Sequence, residues 1–126
     1  MLNHVFLGTN DVEKSRAFYN ATMGAIGVPA VNELPHATIY ANEGGAVAVS
    51  KPANGEAANP SNGATLGLKA KNCAEVDAWH KAGLENGGTD EGAPGVRPNS
   101  PGQMYGAYLR DPDGNKICVF CPNENA

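Results

Sequence analysis

The sequence predicts an α+β fold: two copies of a strand, helix and hairpin unit, paired with their helices outside and their sheets curling around a shared concavity. Three observations predict it. The segment YGAYLRDPDGNKICVFC, Tyr105 to Cys121, places a turn between two alternating stretches. A strand-like run followed by a capped helix occurs once in each half of the chain. The two halves also superpose on one another, which tests the pattern at several positions at once.

In chain order, His4-Val5-Phe6-Leu7-Gly8 alternates as a strand, with Val5 and Leu7 on one face and His4 and Phe6 on the other. Thr9-Asn10-Asp11 offers helix caps, and Glu13 stands three residues after Asn10, as a capping box requires. A helix through Val12, Ser15, Phe18 and Tyr19 is expected to fail by Gly24 and Gly27. Val28 to Pro35 reads as loop or irregular strand. Thr38-Ile39-Tyr40 and Ala46-Val47-Ala48-Val49 form a hairpin around Asn42-Glu43-Gly44-Gly45. Pro52 to Gly63 lacks apolar periodicity and reads as a connector.

The pattern then restarts. Leu66 and Leu68 alternate with Thr65 and Gly67, Asn72 caps with Glu75 at the box position, and Val76, Trp79 and Leu84 mark a helix that Gly87-Gly88 ends. A long loop, Thr89 to Met104, leads to the last hairpin. Its turn, Asp111-Pro112-Asp113-Gly114-Asn115, combines a fixed φ at Pro112, carboxylates that bond their own backbone, and a glycine tolerant of positive φ. With those residues as the loop, Leu109 pairs with Ile117, Ala107 with Val119, Tyr108 with Cys118 and Gly106 with Phe120. An offset of 61 sets Leu66 on Val5, Asn72 on Asp11 and Trp79 on Phe18; an offset of 70 sets Gly114 on Gly44 and Val119 on Val49. One domain, 1–126, with units of about 1–60 and 62–126, follows.

Composition narrows the function. With 126 residues, a net charge of −4 and no basic run, nucleic acid and anionic membranes are poor partners. No stretch approaches the ~20 apolar residues of a membrane span. The N-terminus enters a strand at once, so no signal peptide is expected. Three cysteines, an odd number, fit a reducing cytoplasm better than a disulfide framework.

If each unit covers one sheet face with its helix, the other face lines the concavity. The inward positions are then His4, Phe6, Thr38, Ala48, Ser50, Thr65, Gly67, Tyr108, Cys118 and Phe120, with Tyr105 and Arg97 bordering the long loop. Tyr108 wants a partner for its phenol there. Trp79 and Phe18 read as helix-to-sheet core, and His80 and His36 as solvated.

The opening NHVFLGTNDVEKSRAFY, the Asn86–Pro98 run and YLRDPDGNKI resemble the vicinal oxygen chelate superfamily, nearest to its glyoxalase/bleomycin-resistance type. The resemblance spans roughly Asn3 to Pro122. It implies paired βαβββ modules forming a curved, half-barrel-like mixed sheet, a homodimer and a small-molecule ligand. It also implies four inward metal-ligand positions, which fall here on His4, Ala48, Thr65 and Cys118. Of these only His4 is a residue the family uses there. A catalytic metal site needs about three protein ligands, so no metal is expected, with a divalent ion as the alternative.

Three functions compete. One is a metal-poor protein that holds a small molecule in an aromatic-lined cavity. The second is a divalent-metal-dependent lyase or isomerase in which His4 and Cys118 help hold the ion. The third is a metal-free thiol enzyme with Cys118 as nucleophile and His4 as base. Against the third stands the plain role of a small buried thiol. Cys118 and Cys121 form C-x-x-C, but on a strand they face opposite ways.

Overall fold

The computed structural model describes residues 1–123, so the last three positions expected in the second unit lie outside the described residues. The first half forms β1 (His4–Gly8), α1 (Val12–Ala25), β2 (Ala30–Glu33), β3 (Ala37–Asn42) and β4 (Gly45–Ser50). The second forms β5 (Leu66–Lys69), α2 (Cys73–Glu85), β6 (Thr89–Val96), β7 (Tyr105–Arg110) and β8 (Lys116–Cys121). They make two four-stranded sheets, ordered β1-β4-β3-β2 and β5-β8-β7-β6. In each sheet the first strand runs parallel to the last and the hairpin strands pair antiparallel. The sheets neither close nor join, so β1 and β5 are both edge strands.

The repeat extends to the hydrogen-bond register. Val5 pairs with Val47 and Phe6 with Ala48; at the same offsets Leu66 pairs with Ile117 and Gly67 with Cys118. The last hairpin has the expected pairs, from Tyr108 opposite Cys118 to Leu109 opposite Ile117.

Two expectations change. Thr89 to Met104 is not one loop, because Thr89–Val96 is strand β6 along β7, interrupted by irregularities between Asp90 and Gly92 and between Gly92 and Gly95. Gly92, Pro94 and Gly95 erase its alternation, and such residues are tolerated where a strand is an edge and bulged. At the first helix the cap is Asp11, whose Oδ1 accepts from the Lys14 N–H at 3.1 Å, and not Asn10. The Asn10 amide clasps the connector instead, donating to the Ala58 carbonyl at 3.0 Å and accepting its N–H at 2.7 Å. The Asn72 cap forms as expected, accepting from the Glu75 N–H at 2.9 Å. Helix α1 ends at Ala25, between the two glycines expected to stop it, and holds Gly24 in its last turn beside the buried Met23. Packing outweighs the roughly 1 kcal/mol helix cost of one glycine.

A single core joins the halves. Phe18, Tyr19 and Met23 of α1 meet Val76 and Trp79 of α2 over Tyr40, Val47, Val49, Leu109, Ile117 and Val119. The helices touch at Gly83, where a Cβ would stand 2.3 Å from Leu109 Cδ1 and 3.2 Å from the Phe18 ring. Leu84, expected on the buried stripe, is 45% exposed, because Gly83 takes that side. His80, expected to be solvated, is buried with Nε2 2.8 Å from Asp90 Oδ1. That partner sits on β6, the strand the sequence concealed. The His80 contact, then the Gly92 N–H, hold the Asp90 carboxyl below its ordinary pKa.

Nearby, the buried Thr22 hydroxyl has no hydrogen-bond partner among the described residues. Thr22→Val keeps the shape and removes the unpaired group, so it is expected to stabilise the chain by about 1 kcal/mol. Urea unfolding checks this, and a loss of stability would mean that the hydroxyl is satisfied.

The Asp111–Asn115 turn does more than reverse the chain. Asp111 is 4% exposed. Its Oδ1 accepts the N–H groups of Asp113 and Asn115, each at 2.9 Å. Its Oδ2 accepts the Tyr19 hydroxyl at 2.6 Å and the Asn115 amide at 2.9 Å. That amide also donates to the Gly8 carbonyl at 3.0 Å, and Asp113 Oδ1 accepts the Asn10 N–H at 2.8 Å. The turn is thus bonded to β1, to α1 and to the loop between them. Burial raises the Asp111 pKa even against these donors, and burial followed by the Asp111 charge raises that of Tyr19.

Candidate functional site

Alternation along the strands puts the aliphatic residues against the helices and leaves one open face per sheet. On the first sheet that face carries His4, Phe6, Ala48 and Ser50, joined by Ile39, which pairs with Ala48. On the second it carries Gly67, Tyr108, Cys118 and Phe120. Thr65 is exposed just ahead of β5.

Two expected members are elsewhere. Thr38 pairs with the core residue Val49 and therefore points to the helix, where its hydroxyl accepts from Arg16 Nε at 2.7 Å. Directly opposite residues of an antiparallel pair share a face, so Ile39 takes the place expected of Thr38. Tyr105 shares the helix side with Ala107 and Leu109, and its hydroxyl donates to Asp77 Oδ1 at 2.6 Å. That bond, with a smaller contribution from burial, pushes its pKa up to about 12.

The open-face residues differ in access. His4 and Phe6 are exposed, their rings edge to face at 5.5 Å. His4 Nδ1 lies 2.7 Å from Asn3 Oδ1. Ala48 and Cys118 are buried at 3% and 6% exposure. Ser50 turns its hydroxyl back to the Lys51 carbonyl at 2.8 Å. Cys121 points into the core, so the two thiols do face apart. Burial raises the Cys118 pKa, and the nearby Lys116 only partly offsets it. No hydrogen bond joins His4 to Cys118 among the described residues, so the thiol lacks the activation a nucleophile needs.

The second sheet holds a feature the sequence only touched on. The Tyr108 and Phe120 rings meet edge to face at 5.7 Å, and a Cβ on Gly106 would fall 2.6 Å from the Phe120 ring, so that ring lies across the bare glycine. Lys116 Nζ stands 5.2 Å from the Tyr108 ring centre, and the Arg97 guanidinium 5.6 Å from it. Arg97, read from sequence as bordering the long loop, is fixed by donating to the carbonyls of Ala93 at 2.7 Å and Gly95 at 3.0 Å. Its place beside the Tyr108 ring follows from β6.

Two clefts run between the edges of β1 and β5. One, of about 620 Å³, lies among Met23, Ile26, Val47 and Tyr40 at an open end of the core. The other, of about 380 Å³, is lined by Phe6, Leu7, Thr65, Leu66, Asn115 and Lys116. The smaller one takes Phe6 from the open face and adds Thr65, Asn115 and Lys116 as the polar groups that a specific site needs, while His4 and Gly67 line the larger.

The family profile of the Glyoxalase/Bleomycin resistance protein/Dioxygenase superfamily matches residues 1–119. The chain belongs to that superfamily. The fold agrees with a glyoxalase/bleomycin resistance protein from Albidiferax ferrireducens T118, at 42% identity and TM-score 0.89 over 98% of this chain and 99% of that one. A glyoxalase-related enzyme from Fulvimarina pelagi shares 21% identity at TM-score 0.76 over 96% of this chain and 87% of its own. A lactoylglutathione lyase from Agrobacterium tumefaciens shares the fold at 21% identity and TM-score 0.67, over 96% of this chain and 92% of its own. No curated protein matches the chain.

The superfamily's metal can be tested against the residues present. The expected positions offer an exposed imidazole at His4, a methyl group at Ala48, a hydroxyl at Thr65 and a buried thiol at Cys118. Ala48 has no donor, and burial raises the Cys118 pKa, which disfavours the thiolate that a metal takes. Among the described residues, no three His, Cys, Asp or Glu side chains converge. This donor set does not fit a first-row divalent ion. Among those same residues, no helix is long and apolar enough to cross a membrane.

Proposed function

We propose that this glyoxalase-superfamily chain holds a small molecule in the cleft between β1 and β5, without the divalent metal site of metal-using relatives. One observation carries the reading. The cleft sets the Phe6 ring and the apolar Leu7 and Leu66 beside Thr65, Asn115 and Lys116, while the positions for metal-binding carboxylates hold Ala48 and Cys118. At about 380 Å³ the cleft matches the size of ordinary small-molecule sites, roughly 300–1,000 Å³.

The test is a nuclear magnetic resonance titration of the full chain, dialysed against chelator, with 2-naphthalenemethanol as a neutral probe. Shifts are expected at Phe6, Thr65, Leu66 and Asn115, with affinity falling about fivefold in Phe6→Ala as its ring contact is lost. Nickel, zinc and cobalt added to the same sample are expected to give no tight one-to-one binding by calorimetry. Tight metal binding, or a probe that leaves the cleft untouched, would overturn the reading.

A further inference from the structure

We infer that the ligand of this cleft is a small organic anion, an aromatic body carrying a carboxylate or phosphate that Lys116 receives. The inference rests on the small-molecule reading above and names the class of molecule.

The chain as a whole is acidic, with a net charge of −4. The open face of the second sheet is not. Strands β5, β7 and β8 and the segment 97–104 contain no Asp or Glu, yet they carry Lys69, Arg97, Arg110 and Lys116. The acids of β6 are already engaged: Asp90 faces His80 and Glu91 accepts from Arg110 at 3.1 Å. A concave surface of one sign on an otherwise opposite protein concentrates counter-charged ligands.

Lys116 is the cation placed to act. It lines the cleft, and its ammonium approaches the Tyr108 ring, with no carboxylate or carbonyl bonded to it among the described residues. Arg97 approaches the same ring and spends N–H groups on the Ala93 and Gly95 carbonyls, which hold its guanidinium in place. Two cations at one ring repel each other. An anion bound at Lys116 lowers that local excess of positive charge, while a neutral ligand leaves it. Phe6, Leu7 and Leu66 supply the apolar lining of the cleft beside the charge, and the Tyr108 ring backs the Lys116 ammonium. Asn115, which also lines the cleft, commits its amide to Asp111 and Gly8, so specificity for charge falls on Lys116.

The experiment compares three probes of one shape on the full chain: 2-naphthoate, 2-naphthyl phosphate and neutral 2-naphthalenemethanol. The wild type is expected to bind at least one anion about tenfold more tightly than the alcohol, with the advantage shrinking as salt rises. Whichever anion leads tells carboxylate from phosphate, and inorganic phosphate alone shows whether the ring is needed. Lys116→Met keeps the stem and removes the charge. It is expected to erase the anion's advantage over the alcohol, and amide resonances of the buried core that match the wild type report that the variant is folded. Equal binding of all three probes to the wild type would overturn the anion inference and leave the cleft reading standing. An anion advantage that survives in Lys116→Met would overturn the role of Lys116. Absence of binding by every probe would overturn both readings together.

Discussion

Asp111→Ala is expected to lower the unfolding free energy by about 3 kcal/mol, the largest effect of any single polar substitution in this chain. The carboxylate accepts four donors, from Tyr19, Asp113 and twice from Asn115, in a site that is 4% exposed. Truncation leaves those donors buried without partners, and an unsatisfied buried group costs about 1–3 kcal/mol. Tyr19→Phe removes one donor only and is expected to cost about 1 kcal/mol. Denaturant titration of both variants and the double mutant measures their coupling. Strictly additive losses would mean that the Tyr19 hydroxyl and Asp111 act independently.

The same residue predicts a pH signature. Burial raises the folded-state pKa of Asp111 above its unfolded value, so between the two values the folded chain binds the extra proton. Stability from this group therefore rises as pH falls through the folded pKa and levels off below the unfolded one. The gap between wild type and Asp111→Ala is expected to widen over that window. Asp90 has the opposite shift: its contribution is present above the ordinary carboxylate pKa and is lost as pH falls through the lowered one.

Gly83→Ala is expected to destabilise by about 2 kcal/mol, although helix propensity alone favours alanine by about 1 kcal/mol. The added Cβ would stand 2.3 Å from Leu109 Cδ1 and 3.3 Å from Thr22 Cγ2, at the junction of both helices. Leu109 is fully buried and has nowhere to move, so overpacking at about 1–3 kcal/mol prevails. Thermal unfolding of this single variant decides the sign; a higher midpoint would show that the helices can separate at no cost.

The repeat was the most legible part of the chain because cap residues, glycine turns and the Phe18–Trp79 match constrain one another. Its hydrogen-bond registers could be written down from a five-residue loop and simple alternation. Strand β6 was hidden because Gly92, Pro94 and Gly95 remove the period-two signal on an irregular edge. His80 was misplaced for the same reason, since its partner lies on that strand. The open face was legible wherever parity was fixed by a paired strand, as at Tyr108, Cys118 and Phe120. Thr38 was assigned to the wrong face because it is one residue out of step with Ile39, and Tyr105, read as bordering the long loop, turns to the helix side with Ala107. The seam at Asp111 was invisible, because a DPDGN turn reads as a local device until the Tyr19 and Gly8 contacts appear.

The separation of the two sheets has a chemical meaning for whatever enters the smaller cleft. Both of its long walls, β1 and β5, are strands without a neighbour on that side. Each therefore presents main-chain amide and carbonyl groups that no other strand uses. The Gly8 carbonyl already takes one donor, from Asn115. A guest in the cleft is met by peptide groups as well as by side chains. Peptide groups are the same whatever residue occupies the position, so this part of recognition is carried by the path of the chain and survives any one substitution along it.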